Sequence, residues 1–476
     1  MTSGKIARVG FAGAAATVAG MVLIAGAHEE DWRKLAEALP PYQGPIVTLH
    51  DVRAGTVPID MMFDSENMTM LSWVPLSEFA GGHRSGNDIW GYTSPSGREY
   101  AIMGLEAGYG FVEITDPTAP VVLDVISGPA STWHDVKVIG EYAYGVSEAG
   151  SGIQVMDLSQ IDSGIVRHVI DKTQAGHRST HNIVSNPDSG YLYLVGGNIA
   201  SGGLVAVDTT NPEDPTIVGQ WSSFYVHDAQ VVSYDSGPYA GREIAFCLGG
   251  LSSGWSSTGL RIVDVTDKSN MFTITEVFWT AAGYAHQGWL SEDRKYFYVD
   301  DELDEEQGKV PVTTTRIFNV EDISNPSFVG TFTSGMPSTD HNLYVKGNRI
   351  YEANYTSGVR VFDNTDPENP VQIAWFDTHP ETDASGYNGM WGVYPFFESG
   401  TIICSDRSRG LFVLEVDSDS TCRVDLTGDG LLDIFDFLEF QNLFGAGDLT
   451  ADFTGDGVLD FFDFLAFQNE FALGCP

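Results

Sequence analysis

The stretch GVRVFDNTDPENPVQIAWF (Gly358–Phe376) decides the fold. Val359 and Val361 alternate with other residues, the period of two that a half-buried strand needs. The Asp-Pro and Asn-Pro steps that follow interrupt a strand ladder and start a turn. The apolar run VQIAWF then supplies a partner strand. The same unit recurs at Gly110–Ile126 (GFVEITDPTAPVVLDVI), Gly203–Trp221 (GLVAVDTTNPEDPTIVGQW) and Gly259–Trp279 (GLRIVDVTDKSNMFTITEVFW). Thr315–Phe332 lacks the leading Gly, and Gly152–Ile170 is a weaker copy.

Each copy ends a longer unit that opens on a short polar pair. Openings fall at Asn87, His134, His181, His227, His286, His341 and Asn388, at spacings of 46 to 59 residues. Seven units at this period predict a β-propeller with four strands per blade. The last unit ends at GLFVLEV without an outer strand. An orphan strand, MTMLSWVPL (Met68–Leu76), precedes the first unit. It is expected to complete blade seven, a closure that removes exposed sheet edges. The fold class is therefore all-β: a seven-bladed propeller over 67–416, closed by an N-terminal strand.

Composition agrees. The 476 residues include 53 Gly and 12% aromatics, the turn and strand formers of an all-β chain. The net charge of −41, from 24 basic and 65 acidic side chains, disfavours nucleic acid and anionic membranes as partners. Residues 1–27 read as a signal peptide: Lys5 and Arg8, an apolar run from Val9 to Ile24, then Ala25-Gly26-Ala27. An uncleaved anchor is the competing reading. Residues 28–66 form an N-terminal extension. No other segment has spanning length, so a secreted, extracellular or cell-surface protein without a membrane span after cleavage is expected.

Residues 422–476 repeat themselves. DLTGDGLLDIFDFLEFQNLF (Asp425–Phe444) and DFTGDGVLDFFDFLAFQNEF (Asp452–Phe471) match at 15 of 20 positions, 27 residues apart. Each holds a twelve-residue loop with oxygen donors at positions 1, 3, 5, 7, 9 and 12. These are Asp425, Thr427, Asp429, the Leu431 carbonyl, Asp433 and Asp436, then Asp452, Thr454, Asp456, the Val458 carbonyl, Asp460 and Asp463. Gly430 and Gly457 sit at the sharp turn. Crowded carboxylates repel without a cation, so two calcium ions are expected. Cys422 and Cys475 bracket this module and are expected to pair in an oxidising compartment. Cys247 and Cys404, in apolar strands, read as buried thiols. A polar linker, 417–421, separates tail from propeller.

Two resemblances follow. Asn87–Pro117, Ala285–Glu305, Asp340–Pro370 and Gly400–Val416 resemble the choice-of-anchor B family, built from LVIVD repeats. The resemblance spans about residues 67–416. It implies a secreted propeller with an exchangeable C-terminal anchoring module, and no reaction. The tail, with Asp at position 12 and one helix after each loop, resembles a dockerin (type I, EF-hand-type). That implies attachment to a cohesin-like or other surface protein. Ile434-Phe435 and Phe461-Phe462 depart from it, being bulky and apolar where a cohesin contact belongs.

The histidines carry the remaining signal. His134, His181, His227, His286 and His341 share one repeat position, at the strand that lines a propeller channel. They read as braces between blades or as ligands of copper or zinc. The residues after them, Asp135, Asn182, Asp228, Gln287 and Asn342, are candidates to orient the rings. The acidic run Asp300–Glu306 reads as a solvated face, with a cation site near His286 as the alternative. His177 and His181 have helical spacing within β-type sequence, which argues against a zinc-protease helix. Phosphate loops, dinucleotide fingerprints and serine elbows are absent. The expected function is a binding or interaction propeller of unassigned activity, with a glycan or protein ligand, attached through its calcium tail. A channel metalloenzyme and a role in extracellular polysaccharide degradation are the alternatives.

Overall fold

The computed structural model describes residues 31–57, 63–252, 254–417, 424–427, 432, 434–454 and 458–473. Seven antiparallel sheets follow one another along the chain. The innermost strands of blades one to seven are Gly86–Thr93, His134–Ile139, Asn182–Asn186, Asp228–Tyr234, Ala285–Leu290, Asn342–Lys346 and Met390–Tyr394. Blade seven takes its fourth strand from the N-terminal side: Met68–Val74 pairs with Gly410–Val416, and Val47–Thr48 adds a short fifth strand. The orphan strand therefore closes the ring as its sequence predicts.

The core is a ring of seven apolar clusters, one between each pair of neighbouring blades. One of them joins blade seven to blade one, through Val74, Ile89, Met103, Ile403 and Val413. Closure is thus secured by apolar packing as well as by the shared sheet.

The repeat signature has local causes. Gly358 opens a third strand at φ +76°, and a Cβ there would strike the Phe376 carbonyl of the outer strand. In blade one the same constraint falls on Gly108 rather than on Gly110, two residues later. The terminal Asp of the third strand accepts a backbone hydrogen bond two residues on, at 2.8 Å from Thr365 N to Asp363 and 2.7 Å from Thr210 N to Asp208. This Asx turn ends the strand and launches the Pro-containing loop. Cys247 and Cys404 are buried free thiols. Cys422 and Cys475 lie outside the described residues.

In the tail, helices Ile434–Ala446 and Phe461–Leu473 follow the two loops. Phe440 and Phe467, equivalent in the two copies, stack at 4.3 Å in the centre of a small phenylalanine core.

Candidate functional site

The first strand of each blade starts at one mouth of the channel, and the antiparallel second strand ends there. Residues at these two positions therefore share a mouth. His181, His227, His286 and His341 form a continuous file at it, with ring centroids 4.4, 4.1 and 4.4 Å apart. Tyr355 and Trp391 continue the file beyond His341, at 4.4 and 4.9 Å. His134 stands apart, against the edge of Tyr109, and burial holds it down at about 4. Of five predicted ring members, the structure brings together four.

Backbone carbonyls orient these rings. His227 Nδ1 meets the His286 carbonyl at 3.3 Å, His286 Nδ1 the His341 carbonyl at 2.8 Å, and His341 Nδ1 the Trp391 carbonyl at 2.7 Å. His181 Nδ1 meets Glu148 at 2.6 Å. A backbone carbonyl has no proton to give, so Nδ1 of His227, His286 and His341 donates. The residues after the histidines do other work, contrary to the sequence expectation. Asp135 accepts from the Ile183 amide at 2.7 Å, and Gln287 from the Leu343 amide at 2.9 Å. They are the right length to cross to the next blade's inner strand. The bracing role and the ligand role expected of histidine are therefore compatible in His286 and His341: Nδ1 braces, and Nε2 faces Glu302.

Glu302 completes the site. Its carboxylate lies 3.7 Å from His286 Nε2 and 3.9 Å from His341 Nε2, and it accepts the Tyr355 hydroxyl proton at 2.7 Å. His286, Glu302 and His341 each offer one ligand atom, and these lie within 4.8 Å of one another. Burial pushes the Glu302 carboxyl up, but Lys34, His341 and Tyr355 outweigh it and bring it below its ordinary value. Burial, then the neighbouring His286, pushes His341 well below the usual imidazole range. A neutral imidazole is the form that ligates a metal.

The acidic run is not a solvated face. Asp300, Asp301, Glu302 and Asp304 are fully buried. Glu302 lies beside His286, as the alternative reading of the run had it. Nothing in the sequence marks the cation opposite it. Lys34, on helix Asp31–Ala36, places Nζ 2.8 Å from Glu302, with both side chains buried. Its ammonium also faces the rings of Tyr387 and Trp391, each at 5.4 Å. Arg407 and Asn388 hold the helix in place through the Lys34 and Glu37 carbonyls, at 2.7 and 2.9 Å. The N-terminal extension thus covers the histidine mouth.

The opposite mouth is a cavity of 460 Å³ walled by Trp90, Trp289, Tyr344, Tyr394 and Phe396. Lys137 lies 4.6 Å over Trp90 and pairs with Asp88 and Asp135. Asp228, beside it, is pushed up to about 7 by burial, which Lys137 only partly offsets. His177 lies in a loop, with Nε2 2.7 Å from the Thr180 hydroxyl, and makes no helical pair with His181.

In the tail, positions 1, 3 and 12 of both loops come together. Asp436 accepts from the Thr427 amide at 3.0 Å and Asp463 from the Thr454 amide at 2.9 Å. Thr427 also reaches Asp425 at 3.3 Å, and Thr454 reaches Asp452 at 3.2 Å. Amide hydrogen bonds from Asp460 and Thr454 hold Asp463 down at about 2. Val458 is exposed and Asp460 half-buried. Asp429, Leu431, Asp433 and Asp456 lie outside the described residues. Ile434, Phe435, Phe461 and Phe462 are all 60–66% exposed, so none belongs to the tail's core.

The class of protein is clear from this topology: a seven-bladed β-propeller followed by a small helical region. No family model matches the chain, and no curated protein matches it. Among solved structures it is similar to the Kuenenia stuttgartiensis hydrazine synthase, at 12% identity over 67% of this chain and 93% of that one, with a TM-score of 0.47. It is also similar to the Myceliophteria thermophila Cps50 (Swd1) beta-propeller domain, at 11% identity over 73% and 99% of the two chains, with a TM-score of 0.46. Among the described residues no helix is long and apolar enough to cross a membrane.

Proposed function

We propose that this is a secreted or cell-surface binding propeller whose channel takes a transition-metal ion at His286, Glu302 and His341. The observation that carries the reading is the convergence of two imidazoles and one carboxylate within 4.8 Å at the channel mouth. Two nitrogens and one oxygen suit zinc, copper or iron(II). The Nδ1 bonds to backbone carbonyls are the outer contacts that such ligands use to fix ring orientation. Lys34 is the cation that balances Glu302 in the structure, so metal entry requires the N-terminal helix to leave. A redox-active ion in this position would support the metalloenzyme alternative.

Attachment belongs to the tail. The choice-of-anchor B and dockerin resemblances, the signal-like N-terminus and the calcium-loop spacing all support a propeller displayed outside the cell. The exposed Ile434, Phe435, Phe461 and Phe462 support a partner surface that is apolar. The aromatic cavity at the far mouth supports the glycan or protein ligand expected of the propeller.

The test is titration of the full chain with cobalt(II), read by its d–d absorption and confirmed by elemental analysis for zinc and copper. The wild type is expected to bind one ion outside the tail. His286→Ala with His341→Ala is expected to abolish it. A wild type that binds no transition metal, or a double variant that binds equally well, overturns the reading.

A further inference from the structure

We infer a separate site for a hard divalent cation of the calcium class between blades five and six, held by Asp304, Glu305 and Asp340. The three side chains bring one oxygen each to within 4.8 Å of the others. They have no imidazole or thiolate among them, so the donor set is all oxygen, which suits calcium, magnesium or manganese and not a soft metal.

Placement explains how the oxygens meet. Asp304 and Glu305 lie on the connection between strands Tyr296–Asp301 and Thr315–Asn319, the longest of the seven equivalent connections. Long structured loops in compact folds usually carry function. Asp340 immediately precedes His341 and so comes from the start of blade six. It is fixed from both ends of the long loop, accepting from the Asp301 amide at 3.1 Å and the Thr314 amide at 3.0 Å. Two amide bonds aim it while leaving lone pairs on both oxygens.

The second line of evidence is hydrogen-bond accounting. Neither oxygen of Glu305 accepts a hydrogen bond, although the residue is only 9% exposed. Asp304 Oδ1 and Asp300 Oδ2 are likewise buried without a donor. Buried carboxylate oxygens are ordinarily satisfied, because an unpaired one forfeits its hydration. Positive charge near them is scarce. Arg316 pairs with Asp304 and lies 4.0 Å from Asp301. Lys309 donates to the Ala282 carbonyl. One guanidinium against Asp300, Asp301, Asp304, Glu305 and Asp340 leaves a deficit that a divalent ion removes.

This site is independent of the channel ion. It shares no ligand with it. It is also distinct from the tail loops, which begin at Asp425.

Calcium bound to the full chain is to be counted by isothermal titration and elemental analysis, wild type against Glu305→Gln with Asp340→Asn. Both substitutions keep shape and remove charge. The wild type is expected to hold one calcium ion more than the variant. Terbium(III) gives a readout on the wild-type fold. The Trp279 indole lies 3.2 Å from Asp301 and is placed to sensitise terbium emission from this site. Trp279→Phe is expected to lose that emission while keeping the ion count, and Glu305→Gln alone to weaken terbium at least tenfold. Equal ion counts in wild type and double variant, or terbium emission untouched by Glu305→Gln, overturn the inference. A wild type that binds no cobalt(II) yet holds the extra calcium ion would overturn the channel reading and leave this one standing.

Discussion

The tail loops and the channel centre both gather candidate metal ligands, and they are assembled in different ways. In the tail, the donors of one loop lie within twelve consecutive residues, and the two loops match almost residue for residue. In the channel, Lys34, His286, Glu302, His341 and Trp391 come from four parts of the chain. A site whose ligands share one turn carries its geometry in its spacing. A site whose ligands are distant carries it only in the fold.

Their stability should differ accordingly, and the sharpest way to break the contrast is chelation. A small module whose loop folding depends on the ion should lose its fold when the ion is removed. The propeller, with an apolar cluster between every pair of blades, should not. Limited proteolysis in chelator is expected to remove residues beyond the linker and leave a resistant propeller. Digestion of the whole chain would show that the two regions are not independent.

Packing gives the next largest effect. Phe440→Ala, which empties a buried ring position in the tail, is expected to cost about 3–5 kcal/mol by thermal or denaturant unfolding of the calcium-loaded chain. Phe435→Asp with Phe462→Asp, both on the exposed face, is expected to change tail stability by only about 0.5 kcal/mol and to remove binding of an apolar partner. A large destabilisation by the second pair would place those rings in a core.

Acid should distinguish the propeller from the tail. Burial holds His177 down at about 4, below its ordinary 6.5. The unfolded chain therefore binds the extra proton first. His177 contributes stability that is fully present above pH 6.5 and is lost as the pH falls towards 4. The upper bound is roughly 3 kcal/mol, at 1.4 kcal/mol per unit. His177→Gln should flatten the propeller's melting temperature over that window. An unchanged slope would count against the buried neutral ring.

Lys34→Ala removes the cation from a buried ion pair and so costs stability, and it should produce the most telling change in binding. Removing the ammonium that faces Glu302 is expected to tighten cobalt(II) binding on the order of tenfold, because the closed form no longer competes. Unaltered affinity would mean that helix Asp31–Ala36 does not cover the metal position.

Much of the architecture was legible. The repeat spacing, the His register and the orphan strand Met68–Leu76 predicted seven blades and their closure, because strand period and turn chemistry are local. The glycine at the head of the third strand was legible as a signature, but its cause, a collision with the outer strand's carbonyl, needed the neighbouring strand. The acidic run misled, since consecutive charges usually face water. Here blade five's long loop turns them inward, where Lys34 and Arg316 answer some of them. Lys34 itself carried no signal, because nothing in its surroundings marks it as a partner for a residue 268 positions on.

By itself, then, the sequence determined the class of fold, the ring closure and the twelve-residue spacing of the tail loops. The fold class and the loop spacing rest on contacts between near neighbours and on repetition, and the closure on a strand left over before the repeats and missing at their end. Only the tertiary structure decided that four of five histidines form one file, that Glu302 meets two of them, and that the N-terminal helix covers their mouth. Those outcomes depend on how seven sheets converge on one axis, where a small shift in loop length changes which side chains meet.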